Sequence, residues 1–128
     1  MGMTSTRDPL AAFDDDTIET VAATTDVDEK RLRDVARAHQ DGVRDLPGVD
    51  DIVYEWRNQF HQDPLLHRTD AIYVLALQDH VWTEFGEQLD ATDTELDALQ
   101  LLHDQQARSL VSDSSRLDTD AAVILARP

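Results

Sequence analysis

The residues of this chain that could do chemistry are its basic side chains and its histidines. Lys30, Arg33, Arg37 and Arg44 recur at helical spacing, with Arg31 at their head. One helix face would then carry donors suited to phosphate oxygens and base edges. Asp34 and Asp41, four residues after Lys30 and Arg37, supply the competing chemistry of intrahelical ion pairs on a solvated face. His61, Asp63, His67 and His80 bring imidazole and carboxylate, which suit zinc or manganese, at a spacing that matches no closed ligand pattern. His39 and His103 fall in the centres of apolar helix faces, where a buried, hydrogen-bonded imidazole is the default and a metal or proton-switch role the exception. Ser5, Ser109, Ser112, Ser114 and Ser115 sit in no strained elbow beside a positioned base, and the four glycines are too scattered for a phosphate loop. The absence of cysteine removes disulfides, thiol nucleophiles and sulfur-ligated metals. The expectation is a non-enzymatic protein without a cofactor.

The elements that must position the basic face lie in residues 17–46. Ile18, Val21 and Ala22 recur on one face of a first helix, with Asp16 as its cap and Glu19 in a capping-box position. Asp26 tolerates left-handed backbone in the turn, and Asp28 can accept the free N–H groups of a second helix. In that helix Leu32, Val35, Ala36, His39, Val43 and Leu46 share the face to be buried. The spacing of Ala22, Asp26, Val27, Leu32 and Val35 resembles a helix-turn-helix, with Asp26 where that family usually has glycine. The resemblance implies that residues 29–45 act as a recognition helix on DNA, with Lys30, Arg31, Arg33, Arg37 and Arg44 as its donors.

Around this unit the chain reads in order. Residues 1–8 have nothing to bury and are expected to be disordered, while Leu10 and Phe13 can pack ahead of the first helix. Pro47 and Gly48 stop the second helix. Residues 52–58 alternate Ile52, Tyr54 and Trp56 and are assigned to a strand that pairs with 71–77 across a long loop. Asp79 caps a helix bearing Val81, Trp82, Phe85 and Leu89. Thr92 and Glu95 form a capping box for another that buries Leu96, Leu99, Leu102, His103 and Leu110. Residues 121–127 form a terminal strand. With an offset of 64, residues 81–110 fit the same template as 17–46, aligning Asp90 with Asp26 and His103 with His39, which suggests an internal repeat.

Composition bounds the rest. At 128 residues the chain suits one domain, and its net charge of −16 disfavours nucleic acid and anionic membranes as partners. Aspartate outnumbers glutamate 21 to 6, and Lys30 is the only lysine beside ten arginines. This resembles the proteins of salt-in halophilic archaea, in which molar salt shortens the screening length to about 3 Å and relieves carboxylate repulsion. With its VYEWR and HVW segments, the whole chain resembles small acidic haloarchaeal proteins of an uncharacterised family. No signal peptide or spanning segment is evident, so a cytoplasmic location is expected. The expected fold is a single α+β domain over residues 9–128. Its two helix-turn-helix-like pairs would pack on a small antiparallel sheet of two to three strands, in a winged-helix-like arrangement. Two functions follow as expectations. The first is a DNA-binding regulator using the 58–71 loop as a wing. The second is a protein-interaction module or dimeric adaptor anchored by exposed Tyr54, Trp56, Tyr73 or Trp82. An unbroken basic face favours the first and a contiguous apolar patch the second.

Overall fold

Helices α1 (Asp15–Thr25) and α2 (Glu29–Asp45) form where their apolar periodicity places them, in a computed structural model that describes residues 8–45, 48–59 and 62–127. Asp26 ends α1 in the left-handed region, at φ 57° and ψ 35°, and its N–H donates to Ala22 O. Asp28 then accepts from Arg31 N at 3.2 Å and opens α2. The cap of α1 is Asp14 rather than Asp16, and Glu19 is exposed, so no capping box forms there. In its place Gln106 reaches across the fold and accepts from Asp14 N at 2.9 Å. Asp8, assigned by the sequence to the disordered tail, caps a 3-10 turn at Pro9–Ala12 by accepting from Leu10 N. Leu10 and Phe13 are buried as expected. Leu46 lies outside the described residues.

Residues 52–58 do not form a strand. They belong to helix α3 (Val49–Gln59), with Asp50 and Asp51 in its first turn and Arg57 in its last, the signs that favour a helix dipole. The segment satisfies both periods, and burial of Val49 and Val53 on one side chose the helical one. The strand that opens the hairpin lies instead inside the expected long loop, as β1 (Leu65–Arg68), paired antiparallel with β2 (Ile72–Leu77). After α4 (His80–Gln88) and α5 (Asp93–Leu110), β3 (Ala121–Ala126) adds antiparallel to β2, giving the order β1-β2-β3. The protein is thus α+β, and its described residues form five α-helices packed on a three-stranded antiparallel sheet.

Every residue of β2 is buried, and so is β3 beyond Ala121, so both faces of the sheet centre are covered. This is why both strands read as continuous apolar runs. The two sheet edges are finished differently. Along the outer edge of β3, Trp82 Nε1 donates to Ala122 O, Ile124 N donates to His103 Nδ1, and Gln40 donates to Ile124 O while accepting from Ala126 N. Arg44 completes the row at Ala126 O and Arg127 O. A buried strand edge must satisfy its backbone groups, and here three helices supply the missing strand through side chains. β1 is short and carries a register shift between Leu65 and His67, features that blunt an open edge.

The constant separation of 64 residues in the contacts Arg31–Glu95 and His39–His103 means that α2 and α5 lie side by side and run in the same direction. Thr92 and Glu95 form the expected capping box. Asp90 does not repeat the turn of Asp26, which is the only described non-glycine residue with positive φ. Leu89 instead leaves α4 in extended backbone. Nor is the first helical pair followed by a strand as the second is, since α3 follows it.

Candidate functional site

The five basic residues of α2 are brought to the surface, and their own chain holds them there. Lys30 pairs with Asp34 at 3.3 Å, and Arg33 pairs with Glu29 at 3.0 Å and Asp15 at 3.2 Å. Arg37 meets Asp8 at 3.2 Å, and Arg31 binds both carboxylate oxygens of Glu95 as well as Asp90 O. The hydrogen bond from Arg31 holds the Glu95 carboxyl below its usual range. Arg44 faces the end of β3. A guanidinium already in a fork with a carboxylate has fewer N–H groups to give a phosphate, so acids break the basic stripe along its length.

The metal candidates are not assembled. His61 lies outside the described residues, Asp63 is bound by Arg57, His67 is in β1, and His80 stands 4.0 Å from Glu84 on α4. No group of three potential ligands occurs among the described residues. Of the aromatic anchors, Tyr73 and Trp82 are buried and Trp56 is half-buried, which corrects the expectation that they are exposed. Tyr54 is 69% exposed and is the only exposed large hydrophobic residue among those described.

Tyr54 belongs to a groove of about 450 Å³ between α3 and the hairpin, lined also by Asp50, Val53, Arg57, Asn58, Asp63, Arg68 and Tyr73. Helical spacing puts Asp50, Val53, Tyr54 and Arg57 on one side of α3, and the hairpin presents Arg68 and Tyr73 opposite. Tyr73 OH donates to Asp50 at 2.6 Å, and its own burial followed by that carboxylate raises the phenol above its ordinary range. Arg57 forms a two-pronged bond to Asp63 at 2.9 and 3.1 Å. Partial burial pushes the Asp63 carboxyl up, but the Leu65 N–H and Arg57 outweigh it and hold the group below its usual range. The Arg68 side chain is exposed and makes no hydrogen bond or ion pair among the described residues. The sequence pointed to Tyr54, to Asp63 and to the 58–71 loop, but reading α3 as a strand separated Asp50 and Arg57 from them.

His39 and His103 form a second polar feature, inside the core. Their rings stand 5.3 Å apart, with Trp82 and Phe85 against His39 and with Phe13 and Trp82 against His103. His103 accepts from Ile124 N, so its proton sits on Nε2, which is buried without a partner among the described residues. His39 departs from the expected hydrogen-bonded state, because neither of its nitrogens has a partner among the described residues. The aromatic faces around it can offer only weak N–H to π contacts. Burial lowers the His39 pKa to about 3, and burial followed by the neighbouring His39 lowers that of His103 as well.

A pH prediction follows with a definite sign. Below 6.5 the unfolded chain protonates these imidazoles and the folded chain does not, so stability falls as the pH falls. His39 alone should cost about 2 kcal/mol by pH 5, and His103 adds in the same direction. The window from pH 6.5 to 5 lies above most carboxylate titration, which separates the two effects. Urea unfolding at several pH values should show this slope. In His39→Leu, stability at pH 7.5 should be kept or raised, and the slope should lose about 1.4 kcal/mol per pH unit. An unchanged slope, or sensitivity of the parent protein to a chelator, would contradict a purely structural His39.

No helix of the described residues is long and apolar enough to cross a membrane. In comparison with known proteins, the family model described as a domain of unknown function (DUF8048) matches residues 11–127. No curated protein and no solved structure matches the chain.

Proposed function

Since the chain belongs to the DUF8048 family, a domain of unknown function, its role must be read from its own surface, and we propose that it is a non-enzymatic protein-interaction module. Its docking face is the groove between α3 and the hairpin. The observation that carries this reading is Tyr54, held out of the core at the mouth of a groove that also presents Arg68, which has no ion pair among the described residues. Tyrosine and arginine are the side chains on which binding energy concentrates in interfaces. The groove also carries two aspartates and two arginines, Asp50 and Asp63 against Arg57 and Arg68, and so is formally neutral on a chain of charge −16. A second acidic protein approaching there meets less repulsion than over the carboxylate runs. The composition supports a working medium of concentrated salt, as in the halophilic archaea whose proteins it resembles, and with it a cytoplasmic setting.

DNA binding is the second reading, favoured by the α1–α2 turn with its left-handed Asp26. In a winged-helix-like arrangement α2 would enter the major groove and the β1–β2 hairpin would serve as the wing. The carboxylates on Lys30, Arg31, Arg33 and Arg37 weigh against it.

A photo-crosslinking residue at position 54, with the same residue at exposed Ala23 on α1 as control, tests the first reading in cells. A discrete protein adduct is expected only at 54, and its mass distinguishes a homodimer from another partner. No adduct above the control would overturn the module. In parallel, saturable binding of genomic DNA fragments at a salt concentration that keeps the protein folded, lost on Arg33→Ala and Arg37→Ala together, would move the assignment to DNA.

A further inference from the structure

On the two sides of the docking groove stand a base and an acid that their own chain leaves apart. Arg68, on the hairpin, is exposed and makes no ion pair among the described residues. Asp51 and Tyr54, three residues apart on α3, are exposed as well, and Asp51 has no hydrogen bond or ion pair among those residues. The two tyrosines of the groove differ in the same way. The buried ring of Tyr73 takes the Arg127 guanidinium at 4.8 Å from its centroid, whereas Tyr54 has no cation over its ring among the described residues. A guanidinium, a carboxylate and an aromatic face that could satisfy one another are therefore held out on one surface, with the groove between them.

We infer that the occupant of this groove is a second copy of the chain, related by a twofold axis, with Arg68 of each copy laid over Tyr54 and beside Asp51 of the other. Self-association deepens the interaction-module reading and rests on it. A twofold interface joins a surface patch to itself, so the patch must carry both halves of every contact, and this one carries the base, the acid and the ring. Its shape suits the same operation. α3, with Tyr54 projecting from it, is a ridge that borders the groove, and a half-turn that sets this ridge over the partner's groove sets the partner's ridge over its own. Two chains of charge −16 repel over most of their surfaces, but at molar salt the screening length is about 3 Å and only charges in near contact count. The charges that meet here, Arg68 and Asp51, are opposite in sign. Stacking of the guanidinium on the Tyr54 ring, and burial of that ring, supply attraction that salt does not screen away.

Sedimentation equilibrium of the full chain in concentrated potassium chloride, at up to about 1 mM protein, is the test. A reversible monomer–dimer equilibrium is expected. Tyr54→Ala and Arg68→Ala should each weaken it roughly 30-fold, the loss of an interface anchor, with the helical circular dichroism unchanged because both side chains are exposed. Each variant loses both symmetric contacts at once. Mixing the two variants should restore part of the affinity, roughly 5-fold over either alone, because the heterodimer keeps one intact pair of Arg68 and Tyr54. A parent chain that stays monomeric would overturn the dimer. So would a dimer that either substitution leaves intact, or a mixture that associates no more tightly than its components. The crosslink at position 54 reads the module separately. A monomeric parent with an adduct of another mass leaves the module standing with a different partner, and a monomeric parent with no adduct removes both.

Discussion

Withdrawal of salt should unfold this protein, with the helical circular dichroism lost as potassium chloride falls to tens of millimolar and regained when it is restored. The cause is the charge of −16, of which the exposed runs Asp14–Asp16 and Asp50–Asp51 and the acids at the start of α5 are the densest parts. At molar salt the screening length is about 3 Å and neighbouring carboxylates scarcely interact, whereas at 0.01 M it is about 30 Å and every carboxylate of a domain this size repels every other. The described arginines cannot offset this. Most are already committed to local pairs such as Arg33 with Glu29 and Arg108 with Asp104 and Asp118, leaving the excess aspartates without cations. Sodium and potassium chloride should act alike at equal ionic strength, because screening depends on charge and concentration. A salt titration in which the helical signal is the same at 20 mM, taken as roughly the regime of a 20 to 30 Å screening length, would sink the prediction.

Replacing Gln40 should be strongly destabilising. Its buried amide donates to Ile124 O at 2.7 Å and accepts from Ala126 N at 2.8 Å, doing for the edge of β3 what a fourth strand would do. Gln40→Leu is similar in size but leaves two backbone groups buried without partners, at about 1 to 3 kcal/mol each, for a total of roughly 2 to 6 kcal/mol. Gln40→Glu keeps the acceptor, loses the donor and buries a charge, and should be at least as harmful. Urea unfolding at constant potassium chloride measures both. A loss below about 0.5 kcal/mol, the range of ordinary surface substitutions, would mean that the edge is satisfied in some other way.

The difference between what was legible in the sequence and what was not follows the distance between interacting residues. The left-handed turn at Asp26, the Asp28 cap, the Thr92–Glu95 box, the buried faces of α2 and α5 and the terminal strand rest on neighbours within about one helical turn, and the chain records such relations directly. Residues 49–59 satisfied two periods at once. Only the burial of Val49 and Val53 decided between them, and with α3 came the groove that joins Asp50, Tyr54 and Arg57 to Arg68. The fate of the basic stripe was equally invisible. Lys30–Asp34 could be read from spacing, but Arg31 finds Glu95 from 64 residues away and Arg37 finds Asp8 from 29. His103 left a partial trace, as a polar residue set into an apolar face, which signals a buried bond, whereas nothing in the pattern singled out buried Gln40 or its partners. Those partners, Ile124 and Ala126, are more than eighty residues from Gln40. A backbone edge acquires a need for side-chain partners only once packing has removed it from water, so the sequence determined that polar groups would be buried, and the tertiary structure determined what they bind.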